Sequence, residues 1–395
     1  MRKMGVFLGL MLLLNLLSLS VIVTAEDEYD FQDLKFAVTP EGWDNIGYIL
    51  EKLGYSYDII LFDELLNLTY VSAYDVIFIN CASDVDYYFQ LHGDEAGPVL
   101  NSYVEAGGII YASDWAYRVI EETFDDAIKF YGEEIEDNLC KIGQACNVSA
   151  DVVDPGFAAY LGDNIVTVEF NMDAWVVMES VPETTKQYLS GVVEISGEGP
   201  MDVPITVSFS RGEGYVIFTS FHYEAQGPMA ETLMEYLVFK AVTEDITSTV
   251  ESSLTGEGYD IAYDIRGGIN QDETKDYNIE IDESGDTKFV LDCYGDYLEF
   301  IVQMPDGSNI SGEGAKQKYV EISDASAGTY TVSITGFNVS NENEPFTILI
   351  GTVAGSSDDD NGSEPTSTSP DTPGFELLTM MVAIVIALIL LKKKK

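Results

Sequence analysis

His222 is one of only two histidines in this 395-residue chain, and Glu224 stands two positions after it. An imidazole beside a carboxylate can serve as a general base that the acid orients. The competing reading is a structural His–Glu pair kept for packing. The other histidine, His92, lies in Leu91-His92-Gly93-Asp94-Glu95, which reads as a surface loop. Of four cysteines, Cys140 and Cys146 sit six apart in a loop-like stretch, where a local disulfide is expected outside the cell. Zinc there would need more ligands than the neighbourhood offers, and no metal site is expected. Cys81 reads as a small half-buried thiol and Cys293 as a core thiol. Tyr87, Tyr88, Trp115 and Tyr117 follow apolar strand-like runs. Exposed there, their rings could stack on sugar faces; the alternative is ordinary core packing.

Strands and helices must bring these side chains together. Residues 35–38, 57–61, 76–80 and 109–112 read as short buried strands. Between them, residues 41–53 show a helical apolar face that includes Trp43, and a second helix is expected around 98–105, ending at Gly107-Gly108. A further helix is expected from about Trp115. This alternation argues for a mainly parallel sheet covered by helices. Strands at 166–170, 175–178, 203–209 and 215–220 follow, then a closing helix at 230–242. Chemistry in such sheets gathers at the carboxyl ends of strands. Three ends are informative: Asn80-Cys81-Ala82-Ser83-Asp84, Ser113-Asp114-Trp115 and Phe221-His222-Tyr223-Glu224.

With those strand ends, residues from about Leu34 to Val242 resemble the class I glutamine amidotransferase-like superfamily, a flavodoxin-like fold. His222-Tyr223-Glu224 stands in the place of that family's His-x-Glu. The resemblance puts the nucleophile's position at Ser113, and a Ser113–His222–Glu224 triad matches the serine peptidase branch. Trehalose-utilisation relatives in the superfamily lack the nucleophilic cysteine. Two features oppose acyl transfer. A nucleophile elbow wants small residues two places to either side of the nucleophile, and here those residues are Tyr111 and Trp115. Asp114 would also set a carboxylate where developing negative charge needs donors.

From about Thr247 the pattern changes to period two. Seven short strands at 259–265, 277–281, 287–293, 297–303, 319–322, 329–334 and 346–350 predict a β-sandwich. Ser284-Gly285-Asp286-Thr287, Ala327-Gly328-Thr329-Tyr330-Thr331-Val332 and Pro345-Phe346-Thr347-Ile348 resemble pre-peptidase C-terminal (PPC-type) domains. Such domains act as spacers or binding modules beside secreted enzymes. Asp282, Asp286, Asp292 and Asp296 are weak candidates for Ca²⁺, against the reading of a solvated acidic face. No other cofactor is expected.

The chain ends set the compartment. Arg2 and Lys3 precede an apolar run, and Val23-Thr24-Ala25 offers small residues for cleavage, as in a secretory signal peptide. Residues 355–372 read as a disordered acidic Ser/Thr/Pro stalk. Pro373-Gly374-Phe375, an apolar run and four lysines then resemble the archaeal PGF-CTERM sorting signal. That resemblance implies an archaeosortase that removes the helix and a lipid that replaces it; an ordinary membrane helix has the same topology. The expected organisation is 1–25 signal, 30–245 α/β domain, 250–352 sandwich, 355–372 stalk and 373–395 sorting signal. Asn67, Asn147, Asn309, Asn338 and Asn361 begin glycosylation sequons. A formal charge of −49 excludes nucleic acid as a partner. The expected function is a surface-anchored, non-catalytic protein that binds a carbohydrate or an envelope protein. The alternatives are a tethered amide or peptide hydrolase and a structural or adhesive envelope protein.

Overall fold

The computed structural model describes residues 34–132, 138–223, 226, 228–293, 297–314, 317–339 and 343–354. The expected signal peptide (1–25) and stalk (355–372), together with Glu224, Asp296, Asn361 and Pro373-Gly374-Phe375, lie outside these residues.

Strands whose side chains are apolar on both faces need a layer on each side. β1 (Phe36–Val38), β2 (Tyr57–Ile59), β3 (Val76–Ile79) and β4 (Ile109–Ser113) pair in parallel in the order β2-β1-β3-β4. Val76 and Phe78 of β3 enter one core with Ile109 and Tyr111 of β4, while Ile77, Ile79, Ile110 and Ala112 enter the other. The first core is covered by α1 (Ile46–Lys52), the second by α2 (Ser83–Glu105) and α3 (Tyr117–Thr123).

β5 (Lys129–Phe130) pairs apart from this sheet with β8 (Met178–Ser180). β6 (Cys146–Val152), β7 (Ile165–Phe170), β9 (Lys186–Ile195), β10 (Gly199–Arg211) and β11 (Gly214–Thr219) complete a nine-stranded sheet. Its order is β2-β1-β3-β4-β11-β10-β9-β6-β7. β11 is parallel to β4, but β10, β9, β6 and β7 follow antiparallel. The sheet is therefore mixed, with a parallel part carrying the strand-end site and an antiparallel extension. α4 (Pro155–Leu161) and α5 (Pro228–Val242) contribute Phe157 and Leu237 to the first core.

α6 (Glu244–Gly256) leads into the sandwich of β12 (Asp260–Ile269), β13 (Thr274–Ile281), β14 (Gly285–Cys293), β15 (Tyr297–Gln303), β16 (Asn309–Ser311), β17 (Lys318–Ala325), β18 (Gly328–Asn338) and β19 (Glu344–Ala354). Two four-stranded antiparallel sheets, β12-β19-β14-β17 and β13-β18-β15-β16, enclose one core. Cys293 is in it, as its alternation with Phe289 and Leu291 predicts. The outer face of the first sheet packs Val290 and Leu349 against Val250 and Leu254 of α6.

Two helix expectations change. α1 begins only at Ile46, because the Asn45 side chain accepts from Tyr48 N and caps it, so Trp43 is 48 % exposed rather than on a buried helical face. α2 spans 23 residues with Pro98 inside it, instead of starting there. Val85, Phe89, Ala96, Leu100 and Tyr103 bury one stripe of α2, enough to hold the helix through the missing proline donor. His92 accordingly lies on this helix, its ring 4.8 Å from that of Tyr88, and not in a loop.

The α/β part and the sandwich belong to one compact unit that runs to Gly355. No helix among the described residues is long and apolar enough to cross a membrane.

Candidate functional site

Four loops meet at the carboxyl ends of β1, β3, β4 and β11. Asn80, just past β3, ties two of them together: its N–H donates to Thr39 Oγ1 (2.9 Å), its amide to Thr39 O (2.8 Å), and its Oδ1 accepts from Ile46 N (2.9 Å). Asn80 and Thr39 are buried, and these bonds replace the water both have lost. Trp43 N donates to Cys81 O at 2.8 Å. Gly42 makes that approach feasible, since a Cβ there would stand 2.4 Å from Ala82 Cβ.

Asp44 is the centre of the polar network. Its Oδ1 accepts from Asn45 N (2.9 Å) and Tyr223 N (3.1 Å), and its Oδ2 accepts from Ser113 Oγ (2.9 Å). Ser113 Oγ in turn accepts from Cys81 N at 3.1 Å. Burial pushes the Asp44 carboxyl up to about 6, against the opposing pull of Ser113, His222 and the two backbone donors.

The elbow residue is Asp114. Its φ of 42° is left-handed, an uncommon state for a residue with a Cβ, and the chain turns there from β4 into α3. Val176 N donates to Asp114 Oδ1 at 2.7 Å, which leaves Oδ2 facing His222 Nε2 at 2.8 Å and Cys81 Sγ at 3.5 Å. His222 Nε2 is 3.1 Å from Cys81 Sγ. Burial, then Asp114 and Asp44, push the Cys81 thiol up, while a hydrogen bond from the Trp115 backbone pulls it down.

Ser113, Asp114 and Cys81 are at most 1 % exposed, and His222 is 7 % exposed. The expected Ser113–His222 pairing is thus replaced. Ser113 sits one residue before the turn, its hydroxyl is committed to Asp44 and Cys81, and the imidazole meets Asp114 and Cys81. Glu224, the third expected member, is outside the described residues. Sequence reading did not join Cys81 to His222, although both lie at strand ends it had singled out.

The aromatic expectation divides. Tyr87 is 63 % exposed on the first turns of α2, and Tyr88 is half-buried. Tyr117 is fully buried and donates to Asn138 Oδ1 (2.9 Å), which corrects its placement on a binding face. Trp115 is half-buried, with Nε1 donating to Ala174 O (2.9 Å) and Lys141 Nζ over its ring at 4.3 Å. Trp43, which sequence reading assigned to a helix face, is also exposed, on the loop whose backbone meets Cys81 past the β3 end.

The Cys140–Cys146 disulfide is also corrected: no disulfide joins the two thiols. Cys140 lies in the core under α2 and α3, whereas Cys146 opens β6 and packs against the opposite core. The calcium candidates do not converge. Asp286 accepts from Asp324 N and Asp292 from Gln317 Nε2, and six residues of β14 hold them roughly 20 Å apart. Asn67, Asn147, Asn309 and Asn338 are all exposed. A 510 Å³ cleft bounded by Asp75, Gly107 and Glu213 lies at the opposite, amino ends of the parallel strands.

No protein-family model matches the sequence, and no curated protein matches it. Among solved structures, the chain is similar to a ThuA-like protein from Bacteroides uniformis at 15% identity and a TM-score of 0.36, over 53% of this chain and 91% of that one. It is similar to a GMP synthase protein from Thermoplasma acidophilum at 12% identity and TM-score 0.36, over 56% and 97% of the two chains. It is also similar to the pre-peptidase C-terminal domain of a Bacillus anthracis collagenase at 13% identity and TM-score 0.19, over 22% and 86%.

Proposed function

We propose that this chain is an exported, envelope-anchored protein whose α/β domain binds a ligand or partner and does not hydrolyse it. The observation that carries the second half is the state of Ser113. A serine nucleophile needs a base within hydrogen-bond reach and an open approach for substrate. Ser113 is buried, its proton goes to Asp44 at 2.9 Å, and an acidic residue occupies the turn where a nucleophile would be presented.

Binding is supported by two exposed rings, Trp43 on the loop after β1, whose N–H bonds Cys81 O, and Tyr87 on the first turns of α2. Flat apolar faces of this kind stack against sugar rings, so a carbohydrate of the envelope is the ligand class that fits. Export is supported by the apolar run after Arg2 and Lys3, by the lysine-capped apolar run at the other end, and by four exposed sequon asparagines.

Protease added to intact cells is expected to digest the chain while a cytoplasmic marker survives. Protection of the chain until the cells are lysed would overturn the exported reading.

A further inference from the structure

Cys81 Sγ, Asp114 Oδ2 and His222 Nε2 converge from three strand ends. They lie 3.1 Å (S–N), 2.8 Å (N–O) and 3.5 Å (S–O) apart, and each belongs to a buried residue. We infer that these three atoms form a binding site for one divalent transition-metal ion, with Zn²⁺ as the fitting ion and water as the fourth ligand.

Ligand bonds of about 2.0 Å to N and O and 2.3 Å to S in a tetrahedral site place donor atoms roughly 3.3–3.6 Å apart. The S–O separation already matches, and His222 has to withdraw by about half an ångström to open the other two. The softness of the set selects the ion. One thiolate, one imidazole and one carboxylate suit zinc, cobalt or copper rather than Mg²⁺ or Ca²⁺.

The surroundings hold each ligand in place. Val176 N fixes the far oxygen of Asp114 at 2.7 Å. The Trp115 backbone donates toward the Cys81 sulfur. Ser113 receives the Cys81 N–H and is itself anchored on Asp44. Outer contacts of this kind orient metal ligands. The left-handed backbone of Asp114 is a local cost that aims its carboxylate at the same point.

Charge and protons balance. Cys81 releases its proton to solvent as the S–metal bond forms. Asp114 binds as the carboxylate, and His222 as neutral imidazole through the Nε2 lone pair. Two anionic ligands then neutralise a doubly charged ion in a buried site. The inference does not rest on the exported, non-hydrolytic reading, because purified chain binds or fails to bind metal wherever it resides.

A chain with 68 acidic residues will collect cations on its surface, so stoichiometry alone is not decisive. The experiment is Co²⁺ titration of the chelator-stripped full chain, followed by absorption spectroscopy. Carboxylate-bound Co²⁺ gives no sulfur-to-metal band. Expected are a thiolate-to-cobalt charge-transfer band and tetrahedral d–d bands that saturate at one ion per chain and are displaced by Zn²⁺. Cys81→Ser should abolish the charge-transfer band, and a variant with Cys140, Cys146 and Cys293 all changed to serine should keep it. Absence of the band in wild type, or its survival in a Cys81→Ser variant of native circular dichroism, overturns the inference. Should Cys81→Ser not fold, loss of the band in the triple variant serves as the contrary result.

Discussion

Asp44 receives three hydrogen bonds, which favour its charged form, yet its burial favours the neutral form and prevails. The sign of its linkage follows. A carboxyl at about 6 in the folded chain, against an ordinary value of 3.8, keeps a proton that the unfolded chain loses. Stability is therefore highest below the lower value and falls as pH rises through the higher one, by about 3 kcal/mol in all. Asp44→Asn cannot ionise. In chelator, urea denaturation should show the variant gaining on wild type by about 2–3 kcal/mol between pH of about 4 and 7. An unchanged difference across that range would contradict the burial argument. Much of this site was legible only as separate fragments. His222, Ser113 and Cys81 were each visible at a strand end, but Cys81 stands 33 residues from Asp114 and 141 from His222, so no spacing motif links them. Nor does sequence say which of Ser113 and Asp114 will take the left-handed turn. That depends on where β4 stops pairing with β11, at Ser113.

Elements were more legible where a period was clean. β1, β3, β4 and β11 are apolar runs between turn residues, and the sandwich strands alternate. β6 was missed because Val148, Ala150 and Val152 alternate with polar residues in too weak a contrast to stand out, and α6 because it fills what reads as a linker. β10 was read as 203–209 but runs for 13 residues, carrying Pro200 and Pro204 with an irregularity after Pro204. One contact between elements has no slack. A Cβ on Gly156 of α4 would sit 1.9 Å from Asp264 O and 2.5 Å from Asp264 C on β12. Backbone cannot swing aside as a side chain can. Gly156→Ala should therefore cost about 3 kcal/mol or more, at or beyond the usual range for overpacking. Chemical denaturation measures it, and an unaltered midpoint would show that α4 does not press on β12.

At the scale of the molecule, the α/β part and the sandwich share a buried charge network. Arg266 of β12 bonds Asp264 (2.8 Å) and Glu244 (2.7 Å), while Asp264 also pairs with Lys240 (3.0 Å). Lys186 joins Asp154 at 2.7 Å. Burial opposes the charge on Asp264, and Arg266, Lys240 and Lys186 overcome it, holding that carboxyl well below the usual range. Sequence suggested two successive domains; the ion pairs that join Lys240 of α5, Glu244 of α6 and Lys186 of β9 to Asp264 and Arg266 of β12 have no local signature. Arg266→Met leaves Asp264 short of its main partner and should cost about 3–5 kcal/mol. Calorimetry should show a single transition in wild type, shifted as a whole in the variant. Two transitions, only one of them shifted, would mean that the halves fold independently.

On the proposed function, the strand-end site holds no working serine nucleophile. A fluorophosphonate probe followed by intact-mass measurement of the purified chain tests it most directly. No adduct is expected on the folded protein. A stoichiometric adduct that maps to Ser113 and disappears in Ser113→Ala would contradict it.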